Sequence, residues 1–313
     1  MLYTAPTTMS FETGIPYVTF IMDLQHRLQP HFPEVSADGE WEQREYLFRN
    51  TIRYATLLFV DSEAGKEDIL SFYRPYGAIP DRIKILPYLP TCYLAIEVSE
   101  AEKRKVREKY RLPERYLFYP AQFWPHKNHA VIIQALERLK RVHGLEIPVV
   151  FCGSYTGKVR GEYFRLVMNM ARYCEVAEQV HYLGYVPDED MAGLYAGAVA
   201  LVMPTFFGPA NIPYIEAWAL RCPVLTSDIR GIREQVGEAG ILVDPRSVGA
   251  IADGIHRLWL DGNLRRALIK LGQQRVASFT FDDYRQRLIE ILEEAKARAR
   301  SGKSTHHMHH IVH

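Results

Sequence analysis

Glu216 is the single acid in FFGPANIPYIEAW, residues 206–218, a stretch that is otherwise uncharged. It follows a loop containing Gly208, Pro209, Asn211 and Pro213 and stands one turn into a helix expected to start near residues 211–213. Other segments carry groups that match it. YPAQFWPHKNH has Gln122 and Lys127, FCGSYTGK has Gly153, Ser154 and Lys158, and GYVPDED has Tyr185 and Val186. Together they supply a cation, small residues that let a ligand approach the backbone, a helix N-terminus at Asn211 and Ile212, and a carboxylate. That set suits a nucleoside diphosphate. A lysine such as Lys127 and the unbonded N–H groups of a helix start can hold two phosphates. A carboxylate such as Glu216 can accept from both hydroxyls of a ribose. Taken singly, Lys127 reads as a solvated lysine and Glu216 as a charge answering the helix dipole. The reading rests on the ordered combination.

These segments share a position: each leaves the carboxyl end of an expected strand. Short apolar runs alternate with amphipathic helices along the chain. Strands are expected at 17–23, 56–62 and 82–88, with helices around 41–55 and 63–73. A proline-containing break follows, with a helix whose start, Ser99-x-x-Glu102, reads as a capping box. The alternation then resumes with strands at 116–121, 147–154, 180–186, 199–205, 223–228 and 240–245, and helices at 128–143, 161–177, 188–197 and 212–221. Such alternation implies an α/β fold of parallel sheets with right-handed crossovers. In open sheets of this kind ligands bind outside the carboxyl ends of the strands, where the strand order reverses. The expected organisation is a first domain over 1–113, a complete doubly wound domain over 114–275, a helix over 276–300 returning to the first domain, and a tail over 301–313. The tail, ending STHHMHHIVH, is expected to be disordered rather than metal-binding.

Bulk composition narrows the function. The chain has 313 residues, 48% hydrophobic and 24% charged, with a formal net charge of +1, so no global field favours nucleic acid or an anionic surface. Four widely spaced cysteines, Cys92, Cys152, Cys174 and Cys222, form no C-x-x-C pair and suit a reducing cytoplasm. The uncharged run from Met191 to Ile215 is interrupted by Pro204, Gly208, Pro209 and Pro213, and reads as buried α/β core rather than a membrane helix. No G-x-G-x-x-G follows a strand, and GSYTGKV (153–159) lacks the glycine spacing and the Ser or Thr of a phosphate loop. Neither H-E-x-x-H nor G-x-S-x-G occurs.

YPAQFWPHKNHAVIIQAL, the long block from LGYVPDED to ILVDP, and PYVTFIMDLQHRLQPHFPE closely resemble the family-four glycosyltransferases of GT-B fold. The resemblance is dense from about residue 16 to 245 and looser to about 295. It implies two Rossmann-like domains, the second holding a UDP- or GDP-linked sugar and the first serving a sugar or glycolipid acceptor. It also implies transfer of a hexose with retention at the anomeric carbon, without metal or other cofactor, in polysaccharide or glycolipid assembly at the cytoplasmic side of a membrane. Lys127 falls on the family's phosphate-binding lysine, Glu216 on the second acid of its Glu–seven residues–Glu motif, and the backbone near Tyr185 and Val186 where the base is read. The chain also departs from the pattern. Gly208 stands at the first acid of the pair, Gln122 at an arginine five residues before the lysine, and Met22 at the histidine of an "HD" pair, while Asp23 and the nearby His26 remain; His26 is open to two readings, facing the acceptor or only packing the cleft. The resemblance starts at about the middle of the family's first domain, so that domain is expected to be incomplete. Two other readings stay open: a sugar-nucleotide-binding relative without catalysis, and a sugar-nucleotide epimerase of the same fold.

Overall fold

Apolar tetrads such as LLFV and ALVM, bounded by turn residues, are the buried strands of parallel sheets, covered on both faces and therefore continuously hydrophobic. The computed structural model describes residues 1–89 and 97–301. The chain forms two units, Met1–Tyr88 together with the segment from Thr280 on, and Leu89–Phe279.

The first unit has four parallel strands in the order β1 (Leu2–Tyr3), β2 (Val18–Phe20), β3 (Leu57–Val60) and β4 (Ile83–Ile85). The helix Phe281–Arg300 lies on this sheet. It opens with a capping box in which Thr280 Oγ1 accepts from Asp283 N (3.2 Å) and Asp283 Oδ2 accepts from Thr280 N (2.8 Å). Its Ile291 and Ala295 pack with Val18, Leu57, Phe59 and Leu86, and Glu294 pairs with Lys84 at 2.8 Å.

Beside that sheet, the helix Glu40–Tyr54 carries a buried acid. The Glu45 carboxylate accepts from Arg27 Nε (2.6 Å), Arg49 Nε (2.7 Å) and Tyr73 OH (2.5 Å), and lies 2.9 Å from His26 Nε2. His26 is completely buried, with its ring edge against Phe48 and Trp41. Of the two readings of His26, the structure favours packing over its candidate catalytic role facing an acceptor: Nε2 lies between Glu45 and Tyr73 and the ring meets no solvent. Met22 is exposed, and Asp23 accepts from Arg44 Nη1 at 3.0 Å.

The network makes a pH prediction. Burial pushes the Glu45 carboxyl up, but hydrogen bonds from Arg27, Tyr73 and His26 outweigh it and hold the pKa down at about 2. A depressed carboxylate stabilises the fold above its unfolded pKa, and that stability is lost as pH falls from about 4.5 toward about 2. Burial also lowers the His26 pKa, so charging His26 in acid works in the same direction. The first unit should therefore lose on the order of 1 kcal/mol per pH unit across this range. Pulsed hydrogen exchange of the helix Glu40–Tyr54 after incubation at each pH would read it. Glu45→Gln should be less stable at pH 7 and lose clearly less between pH 4.5 and 2; parallel pH curves for the two proteins would exclude the network as the source.

The second unit has six parallel strands: β5 (Leu117–Pro120), β6 (Val149–Cys152), β7 (Val180–Tyr182), β8 (Ala200–Met203), β9 (Val224–Ser227) and β10 (Ile241–Val243). They hydrogen-bond in the order β10-β9-β8-β5-β6-β7, a full doubly wound sheet. The run from Met191 to Ile215 resolves into the end of one helix, β8, a loop and the start of another helix. Among the described residues no helix is long and apolar enough to cross a membrane.

Two expectations about organisation change. The boundary lies after Tyr88, not at 113, because the helix Glu100–Lys109 docks on the second unit. Its capping box is present, with Ser99 Oγ accepting from Glu102 N at 3.2 Å. Its Val106 fits against Gly193, where a Cβ would lie 2.6 Å from Val106 Cγ2. Lys109 pairs with Asp190, and Tyr110 OH donates to the same carboxylate at 2.6 Å. The returning segment starts at Thr280 rather than 276. Cys152, Cys174 and Cys222 are free thiols; Cys92 and the histidine-rich tail lie outside the described residues.

Candidate functional site

The strand order places the switch point between β5 and β8. From β5 the chain winds outward through β6 to β7, then returns across to β8 and winds the other way. The segments leaving β5 and β8 are bound to each other there. Asn128, in a left-handed conformation (φ 59°), donates from Nδ2 to the carbonyls of Pro204 and Pro245, both at 2.9 Å. His126 O accepts from Thr205 Oγ1 (3.1 Å) and Phe206 N (2.8 Å), and Ser227 Oγ donates to Thr205 O (2.6 Å). Four strand ends are thereby joined into one framework. Sequence reasoning named none of Asn128, Thr205 or Ser227 as the brace, because their partners are backbone atoms distant in the chain.

Lys127 ends the short turn Pro125–Lys127 on this framework and is half-buried. Pro125 presets the turn's backbone. Tyr119 OH donates to Lys127 O (2.8 Å) and Lys127 N to Trp124 O (2.9 Å), so the lysine's backbone is fixed at both ends. Next to it His129 is fully buried between the rings of Tyr119 and Phe123, and burial lowers its pKa to about 3. It is a neutral packing residue.

Gly153, leaving β6, has φ 136°, and a Cβ there would lie 2.4 Å from Ala121 O and 2.8 Å from Gln122 N. Only glycine lets the β6 loop press on the β5 loop this closely. Phe123 N donates to Ser154 O (3.1 Å), and Ser154 Oγ accepts from Thr156 N (3.0 Å), so the Ser154 hydroxyl stiffens its own loop. Gly153 N donates to Gly184 O (2.9 Å), which brings in the segment after β7. There Tyr185 is 83% exposed while the Val186 side chain is buried, leaving Val186 its backbone for any ligand.

The helix Ile212–Ala219 starts at Asn211, which is buried. Asn211 N donates to Gln235 Oε1 (2.9 Å) and Gln235 Nε2 donates back to Asn211 O (3.0 Å). This corrects the expectation that the Asn211 amide serves a phosphate: its N–H is occupied by Gln235. Pro213 has no N–H, so Ile212 supplies the first orphan donor of the helix. Gly208 has φ 144°, and a Cβ on it would lie 2.3 Å from Asn211 Nδ2. The absent first acid is thus built into the loop.

One turn inside the helix, Glu216 is buried and accepts from Tyr195 OH at 2.9 Å. Tyr195 belongs to the helix Asp188–Gly197, is fully buried, and meets the edge of Phe118 at 5.0 Å. Burial and the Glu216 carboxylate push the Tyr195 pKa well above its ordinary value, so the phenol keeps its proton and holds one carboxylate oxygen. Gln122 is exposed; its Oε1 accepts from Arg160 Nη1 (2.6 Å) and Trp124 Nε1 (3.1 Å). The second unit therefore gathers Lys127, Gln122, Gly153, Ser154, Gly208, Ile212 and Glu216 on segments leaving strand carboxyl ends. His26 belongs to the first unit.

A family model described as glycosyl transferases group 1 matches residues 101–275. The O-antigen chain mannosyltransferase B of Escherichia coli is 29% identical over 252 residues, covering 80% of this chain and 64% of that protein. A GDP-mannose-dependent alpha-(1-6)-phosphatidylinositol monomannoside mannosyltransferase of Mycobacterium tuberculosis is 28% identical over 232 residues, covering 70% of this chain and 55% of that protein. The chain spans less than two thirds of the length of these relatives. Among solved structures, HepE of Anabaena in complex with UDP-glucose matches with a TM-score of 0.73 at 17% identity, covering 95% of this chain and 78% of that one. That likeness is one of fold, and the fold is of GT-B type.

Proposed function

Since the chain belongs to the group 1 glycosyl transferases, we propose that it moves a hexose from a nucleoside-diphosphate sugar to a hydroxyl acceptor, with retention at the anomeric carbon. The observation that supports this reading is the bracing of the segments that leave β5 and β8, which carry a half-buried lysine and a buried carboxylate on one framework. Lys127 and the Ile212 N–H would hold the diphosphate, and the Glu216 carboxylate, steadied by Tyr195, would accept from the ribose. In the transfer the bond from the anomeric carbon to the phosphate oxygen breaks and a bond to the acceptor oxygen forms on the same face. The acceptor proton passes to the departing phosphate oxygen, so no protein base is required. Lys127 lowers the barrier by stabilising charge on the leaving group, a contribution that such preorganised contacts commonly make at about 2.7–4 kcal/mol.

The relatives named as mannosyltransferases support testing a GDP-linked mannose first, followed by UDP-linked sugars. The reading is tested by following release of free nucleoside diphosphate from a donor panel, with and without glycan or glycolipid acceptors, and by NMR of the product's anomeric configuration. An inverted product would remove the same-face mechanism. Nucleotide binding without acceptor-dependent turnover would favour the non-catalytic reading.

The metal-free form of the proposal has its own test. Among the described residues no three His, Cys, Asp or Glu side chains are grouped to hold a metal ion. If Lys127 and the Ile212 N–H carry the diphosphate charge, addition of a chelator should leave donor binding and transfer within about twofold, whereas a strict requirement for magnesium or manganese would place that charge on a cation instead of Lys127.

A further inference from the structure

Arg160 sits in the first turn of the helix Lys158–Tyr173, which follows the β6 loop. Its guanidinium donates to Gln122 Oε1 at 2.6 Å and lies over the Trp124 ring, with Cζ 4.6 Å from the ring centroid. Trp124 Nε1 donates to the same Gln122 oxygen at 3.1 Å. The three side chains form a clamp, with the amide oxygen receiving both donors and the indole face carrying the cation. Every partner of Arg160 in this clamp is neutral. A guanidinium has five N–H donors, and the clamp uses few of them.

The backbone keeps this cation beside the proposed donor site. Gly153 presses on Ala121 and Gln122, Phe123 N donates to Ser154 O, and the turn Pro125–Lys127 packs against the helix that bears Arg160. The loop carrying Gln122 and Lys127 and the helix start carrying Arg160 are thus joined beside the switch point. An arginine stacked on an aromatic ring and pinned by an amide has its fork oriented in advance, which is the arrangement that recognises phosphate oxygens.

We infer that Arg160, held by Gln122 and Trp124, is a second cation for the donor's diphosphate, with Gln122 acting as its positioning residue and not as a direct ligand. The inference rests on the donor-site reading above and adds a residue on a separate element. The test is calorimetric titration of the full chain and its variants with GDP, UDP, guanosine and uridine, at low and raised salt. Arg160→Gln should weaken the tighter-binding diphosphate by about tenfold or more and leave the matching nucleoside unchanged. Arg160→Lys should fall between, keeping charge without the fork, and serves as the readout if Arg160→Gln does not fold. Gln122→Ala, which leaves the arginine but removes its hold, should lose less affinity than Arg160→Gln. If the wild type binds the diphosphate in a Lys127-dependent way and the Arg160 variants keep full affinity, the inference is overturned and the donor site stands. If neither diphosphate binds the wild type, both fail.

Discussion

Lys127→Ala should weaken nucleoside-diphosphate binding by about 10- to 150-fold while nucleoside affinity stays within about twofold. The size follows from the environment. A charge-assisted contact is worth about 1.5–3 kcal/mol where the partner is partly withdrawn from water, and Lys127 is half-buried on a turn whose backbone is fixed by Tyr119 and Trp124. The loss should shrink as salt rises, because screening already weakens the contact in the parent protein. Glu216→Gln provides the opposite pattern. It keeps the size of the side chain and a hydrogen-bond acceptor for Tyr195 but removes the charge proposed to face the ribose, so nucleoside and diphosphate should weaken together. Equal loss of both ligands in Lys127→Ala would mean that the phosphates lie elsewhere.

Gly153→Ala should destabilise the second unit on the order of 3 kcal/mol and abolish donor binding with it. Two penalties coincide. The φ of 136° is one that L side chains rarely adopt, and the added carbon would lie 2.4 Å from Ala121 O and 2.8 Å from Gln122 N, atoms of the backbone that cannot rotate away. Gly144→Ala separates the two penalties. Gly144 has φ 66°, a Cβ added to it would meet nothing within 4 Å, and so it bears only the conformational one. Thermal melting of both variants decides the matter, with each kcal/mol worth roughly 2–4 °C in a unit of this size. Equal shifts would show that the β5 and β6 loops are not pressed together as described.

Much of the second sheet is legible before any coordinates, because strands such as VVFC and ALVM are unbroken apolar runs between turn residues, and burial on both faces demands that pattern. The strand Leu2–Tyr3 is not, since two residues carry no period. The domain boundary is misplaced for a related reason. The helix Glu100–Lys109 is almost entirely polar and buries only Val106, so its sequence does not announce which unit it joins. In the candidate site, Lys127 and Glu216 are named from position and from family likeness, and the structure puts both on segments that leave strand carboxyl ends. What cannot be read is who holds them. Tyr195 lies 21 residues from Glu216, Gln235 lies 24 from Asn211, and Arg160 lies 38 from Gln122, and no local pattern encodes pairings at those separations. His26 shows the converse limit: sequence alone leaves a polar residue near an expected ligand site open to two readings, and only burial shows that it serves the interior.

The Asn128 brace has a consequence for how such a protein can diversify. Its side chain grips Pro204 and Pro245 by their carbonyl oxygens, and every residue type offers that oxygen. The anchor is therefore indifferent to the side chains of the segments it joins. Substitutions at positions 204 and 245 that keep the backbone path leave both hydrogen bonds in place, whereas the loop just beyond is held by its own residues, with Gly208 at φ 144° and Pro209 buried.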